Sequence, residues 1–186
     1  MTGAVSSSGT RSRAFRDWAI WTVGFVSFPL GGVLGGAVAG PVDDLTAAAV
    51  GGLLTGLVIG IGQALAARGR LSAVRWIPAT AVGMAVGLAL GASVVGFRTG
   101  LPDLVLMGVL TGIPLGIAQA LALPPETRLR WLWALTTPVL WGLGWAVTTL
   151  VGVDVEAQYT IFGSTGAITV SALAGVVLYA LGRRKS

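Results

Sequence analysis

The chain contains no cysteine and no histidine. The first absence excludes disulfides and thiolate chemistry, and the second removes imidazole metal ligands and the usual proton shuttle. Charge is nearly as scarce. Asp, Glu, Lys and Arg make up 10% of 186 residues, against about a quarter in ordinary soluble domains. There is no Gly-x-x-x-x-Gly-Lys loop, no His-Glu-x-x-His and no complete Gly-x-Ser-x-Gly. No ionisable side chain falls clearly in the centre of an apolar stretch, where such groups mark proton relays and ion-coupled pathways. The sequence therefore predicts no enzyme, no proton-coupled pump, no cofactor and no metal site.

What remains is apolar. The chain is 54% hydrophobic with mean hydropathy +0.85. A helix crossing a hydrocarbon core of about 30 Å uses about 20 apolar residues, so the expected fold class is all-α, a polytopic membrane helix bundle. About six transmembrane helices fit, at 18–40, 45–67, 76–96, 104–123, 131–151 and 160–181, joined by short loops marked by Pro, Gly or charge. The implied organisation is a tail over 1–17, one transmembrane domain over 18–181 and a basic tail over 182–186.

The arginines alternate across these loops. Arg11, Arg13, Arg16, Arg68, Arg70, Arg75, Arg128, Arg130, Arg183, Arg184 and Lys185 fall on one side, which is eleven of the twelve basic residues. The other side holds Arg98 with Asp43, Asp44, Asp103, Asp154 and Glu156. Cytoplasmic loops keep their positive charge during insertion, so both termini are expected in the cytoplasm of a cell whose plasma membrane the chain spans. A pI near 11.1 then reflects topology, not nucleic acid. Ala37-Val38-Ala39 imitates a signal-peptide cleavage site, but the preceding apolar run exceeds the 7 to 15 residues of such signals, so the first segment is read as a span. Trp18, Trp21, Trp76, Trp131 and Trp133 near the cytoplasmic span ends suggest an interfacial belt.

An offset of 56 residues aligns Gly52-Leu53-Leu54-Thr55-Gly56 and Gln63-Ala64-Leu65-Ala66 with Gly108-Val109-Leu110-Thr111-Gly112 and Gln119-Ala120-Leu121-Ala122. Arg75-Trp76 with Thr80 matches Arg130, Trp131 or Trp133, and Thr137. The repeated unit is a helical hairpin over 51–96 and 107–151. Ser164-Thr165-Gly166, together with Trp18 and Thr22, suggests a third unit built from 160–181 and 18–40, although Leu173 stands where the others have Gln. Units entering from one side are parallel repeats about an axis along the membrane normal.

Lipid tails are as apolar as leucine, so close backbone approach must drive much of the helix association. Gly52, Gly56 and Gly60, Gly83, Gly87 and Gly91, and Gly108, Gly112 and Gly116 form such packing stripes, as do Gly32, Gly36 and Gly40. Gln63 and Gln119, each two turns beyond Thr55 and Thr111, need partners in hydrocarbon. They either bond between helices or, with the two threonines, form a polar ligand site near the axis. Pro78, Pro114 and Pro138 lie inside spans. Trp141 and Trp145 share a face that either packs or stacks a flat ligand. Asp43, Asp44, Asp154 and Glu156 either keep their loops outside or bind a surface cation.

The Gly-x-x-x-Gly-x-x-x-Gly pattern followed by Gln-Ala-Leu, a basic loop, Trp and another Gly-rich span resembles a loose group of small bacterial multipass proteins, over residues 51 to 150. The resemblance implies a hairpin-repeat bundle and no particular activity. The span count is also similar to that of the substrate-binding subunits of energy-coupling-factor vitamin transporters, in dimensions only. Two functions are expected: a structural or accessory membrane subunit with lipid, a second copy or another membrane protein as partner, or a small-solute or lipophilic-ligand binding and transport protein. A lipid-directed enzyme lacks buried acids and bases.

Overall fold

The computed structural model describes residues 7–127 and 129–182, and every regular element among them is helical. Arg128, Arg183, Arg184 and Lys185 lie outside the described residues, as do residues 1–6 of the amino-terminal tail. The helices are α1 (Ser7–Val23), α2 (Ser27–Ala39), α3 (Leu45–Ala66), α4 (Ala73–Val94), α5 (Leu101–Ala122), α6 (Arg130–Leu150) and α7 (Ser164–Gly182). One 3₁₀ turn, Gly24–Val26, joins α1 to α2, so these two act as a single span. Pro29 accounts for the break: its ring occupies the space of the Phe25 carbonyl and it has no N–H to offer. Ser27 donates its hydroxyl to the Gly24 carbonyl at 2.7 Å, which tightens the turn.

The first helix begins well before position 18, running through the basic segment. At the other end, Thr160, Ile161 and Phe162 belong to the loop before α7 and are buried there. Elsewhere the helix ends fall close to the loops expected from charge and proline. Asp44 caps α3 by accepting the Ala47 N–H at 2.7 Å. Gly40, at φ 78°, ends α2 in a backbone conformation that a side chain would disfavour.

Each helix packs on its neighbours in sequence, and α7 closes onto α1, giving a ring of antiparallel spans. Five helical segments are long and apolar enough to cross a membrane: 12–39, α3, α4, α5 and α7. The sixth, α6, has 21 residues and similar length. It is less apolar because Trp133, Thr137, Trp141, Trp145 and Thr148 are buried inside the bundle, while its outward stripe is Leu132, Leu135, Val139, Leu143 and Leu150. The molecule is thus a helical membrane bundle with apolar side chains over its outer surface, as a hydrocarbon surrounding requires.

Glycines set the spacing, and on α3, α4 and α5 the stripes face the next helix along the chain. A Cβ on Gly56 would lie 2.7 Å from Met84 Cβ on α4; on Gly83, 2.7 Å from Leu115 Cα on α5; on Gly112, 2.5 Å from Pro138 Cα on α6. Gly52, Gly60, Gly87, Gly91, Gly108 and Gly116 occupy equivalent places in the same three seams. On α2 the contact face differs from the expected one. Gly31 and Gly35 press against Thr55 and Gly51 of α3, whereas Gly36 has open space around it. Glycines at four-residue spacing cover two faces of α2, and Thr55 selects the first: its hydroxyl donates to the Gly31 carbonyl at 3.0 Å.

The centre of the ring is filled. Phe28 stacks on Phe162 at 5.7 Å and meets Trp141 at 5.9 Å, while Trp145 stands edge-on to Phe162 at 6.1 Å. These rings come from α2, α6 and the loop before α7, so aromatic side chains bridge helices that are not neighbours in the ring. Trp141 and Trp145 are therefore packed.

Candidate functional site

The sequence places Gln63 and Gln119 each fourth from the end of its helix, and Trp76 and Trp133 each fourth from the start of the next. The hairpin turns bring each pair together. Trp76 Nε1 donates to Gln63 Oε1 at 3.0 Å, and Trp133 Nε1 donates to Gln119 Oε1 at 2.9 Å. The two clasps are then linked, because Gln119 Nε2 donates to Gln63 Oε1 at 3.2 Å and to Thr80 Oγ1 at 2.9 Å. The Thr80 hydroxyl in turn donates to the Trp76 carbonyl at 2.9 Å. Gln119 is 1% exposed, and both of its N–H donors and its carbonyl oxygen are engaged. A buried amide with that many partners has little capacity left for a ligand.

Thr55 and Thr111 lie two turns away in a different setting. Thr111 donates to the Met107 carbonyl at 2.8 Å and contacts that of Gly87 at 3.3 Å, the counterpart of the bond from Thr55 to Gly31. Thr55 is also 2.8 Å from Thr160 Oγ1. Neither threonine bonds a glutamine, so the four residues form two separate layers. Thr80, Thr160, Trp76 and Trp133 complete these layers. Thr80 and the two tryptophans are visible in the repeat alignment; nothing in the sequence singles out Thr160.

The tryptophan belt is a correction. Trp76 is fully buried and Trp133 2% exposed, with Trp21 packed edge-on to Trp133 at 6.4 Å. Of the five, Trp131 is the one exposed on the surface, where the Arg130 guanidinium lies over its ring at 5.4 Å. Indole donors that find amide acceptors turn inward, and the same row of rings becomes part of the core. Trp133, not Trp131, is the partner of Trp76 in the repeat.

The third seam lacks the clasp. Leu173 is 41% exposed, and Trp18 Nε1 donates instead to the backbone carbonyl of Ala172 at 2.8 Å. Thr22 still bonds the Trp18 carbonyl, as Thr80 bonds that of Trp76 and Thr137 that of Trp133. Thr165 is exposed, unlike Thr55 and Thr111. Beside this seam, at the arginine end, a cavity of about 410 Å³ opens between the ends of α1, α3, α5 and α7. Its lining includes Arg13, Asp17, Trp18, Trp21 and Arg70, but neither glutamine.

At the opposite end, Asp103 accepts from Arg98 Nε at 3.1 Å and Nη2 at 2.8 Å. That hydrogen bond, and then the carboxylate charge, hold the exposed guanidinium above its ordinary pKa. The cation site considered for Asp43, Asp44, Asp154 and Glu156 does not assemble: among the described residues no three acidic side chains come together. Asp44 is committed to its cap, and Asp154 accepts the Glu156 N–H at 3.0 Å. Compared with protein-family models, curated proteins and solved structures, the chain matches none.

Proposed function

We propose that the chain is a structural or accessory subunit of the plasma membrane, built from hairpin repeats around a closed axis. Its outer surface meets lipid and a partner membrane protein or second copy. The reading rests on Gln119, whose polar atoms are spent on Gln63, Thr80 and Trp133 and so hold two hairpins together. Two further features support it: the filled aromatic centre, and glycine seams that leave little space between neighbouring helices. The segregated arginines support a cytoplasmic location for both termini. The alternative, a polar solute site using Gln63, Gln119, Thr55 and Thr111, would require Gln119, both threonine hydroxyls and the Gln63 carbonyl oxygen to trade protein partners for a ligand's.

Replacing both glutamines by leucine separates the two. Each substitution leaves an indole donor buried without an acceptor, at a cost of about 1–3 kcal/mol, so thermal stability in detergent should fall. A double variant more stable than the parent, with a lost response to a polar solute, would sink the structural reading.

A further inference from the structure

We propose that the cavity at the arginine end binds an anionic amphiphile, with one apolar chain among the helix ends and the charged head at Arg13 and Arg70. This goes beyond the structural role and uses none of the residues that carry it. At about 410 Å³ the cavity is within the roughly 300–1,000 Å³ of small-molecule sites. Its apolar wall comes from Leu71, Leu123, Leu178, Leu181 and the rings of Trp18 and Trp21. Its charged lining is Arg13, Arg70 and Asp17, a net single positive charge.

Asp17 is already neutralised, since its carboxylate lies 2.9 Å from Arg70 Nη2. Arg13 has no ion pair among the described residues and is exposed. An anion at the mouth therefore meets a free guanidinium and a second one whose fork can be shared. A cationic head would meet only a carboxylate that is already paired. The arginine end also lies where an anionic lipid headgroup would sit.

A second observation ties the cavity to the third seam. Trp21 lines the cavity and is more than nine-tenths buried, and its Nε1 has no hydrogen-bond partner. Trp18, the counterpart of the two clasped indoles, bonds the Ala172 carbonyl in place of a glutamine, and Trp21 stands one turn further along α1. Gly175 lets Trp18 and Trp21 lie against α7, since a Cβ there would be 2.9 Å from Cδ1 of each ring. The seam without the clasp is thus the one with space and a charged rim.

The test uses the full chain in amphipol, with dodecyl phosphate, laurate and dodecyltrimethylammonium as probes, read by native mass spectrometry and thermal unfolding. One anionic probe should bind per chain and raise the melting temperature, and the cation should do neither. Binding of dodecyl phosphate alone assigns a phospholipid-type head; binding of laurate as well assigns any anionic head. Arg13→Gln should weaken binding about fivefold, as loss of one exposed charge contact implies. Ala14→Phe, which fills the cavity from α1, should abolish binding with the unliganded melting temperature unchanged. Should that variant fail to fold, Arg13→Gln carries the test alone. Equal binding of the cation, no binding of either anion, or parental affinity in Arg13→Gln overturns the proposal.

Discussion

At the scale of single residues, what matters is whether a polar atom in the bundle has a partner. Trp133 and Trp131 are two positions apart and chemically identical, yet one donates to Gln119 and the other lies exposed beneath Arg130. Trp133→Phe keeps an aromatic ring and leaves the Gln119 carbonyl oxygen short of its donor. It should cost about 1–3 kcal/mol, read as a lower midpoint of thermal unfolding in detergent. Trp131→Phe should change stability by less than about 0.5 kcal/mol, as surface substitutions do. Equal losses for the two would show that the inward clasp does not hold the bundle. The sequence announces that Gln63 and Gln119 need partners, because an unpaired amide in hydrocarbon is costly. It does not announce that tryptophans supply them: a ring near a span end suits the lipid interface and the protein interior equally well.

At the scale of helices, the seams are one-sided. Gly87 faces Thr111, whose Cα would lie 2.9 Å from an added Cβ, whereas an added Cβ on Gly36 would meet nothing. Gly87→Ala should wedge α4 from α5 at a cost of about 1–3 kcal/mol, the usual penalty for overpacking. Gly36→Ala should be neutral or add up to about 1 kcal/mol, since alanine restricts the unfolded chain and favours helix. Thermal unfolding of the two variants beside the parent decides it, and the reverse order would mean that the seams are misassigned. The four-residue spacing was enough to reveal seams on α3, α4 and α5, where glycine lies on one dominant stripe. On α2 it misleads, because Gly31 and Gly35 offer the same spacing one position away from Gly32 and Gly36, and only the hydroxyl of Thr55 distinguishes them. The turn at Gly24–Val26 follows from Pro29, yet it lies inside an unbroken apolar run and leaves no mark in hydropathy.

At the scale of the whole molecule, charge was the legible quantity and cavity shape was not. The charged groups sit in loops, near helix ends and in the terminal segments, so the helix ends and their alternation can be read directly. The opening beside α7 depends on how far the ends of α1, α3, α5 and α7 stand apart, which no local pattern encodes. Because the chain has no cysteine, single introduced cysteines report its orientation cleanly. In intact cells, Glu156→Cys should react with an impermeant maleimide and Ser72→Cys only after the membrane is opened. The opposite pattern would invert the topology. Ring closure also bears on biosynthesis. Successive helices from α2 to α6 find their neighbours as they leave the ribosome, but the indole of Trp18 is bonded by Ala172, 154 residues later. Until α7 has been translated and inserted, the growing chain is an open arc, and its first helix has one bare flank in the bilayer. Helix α7 therefore acts as a keystone.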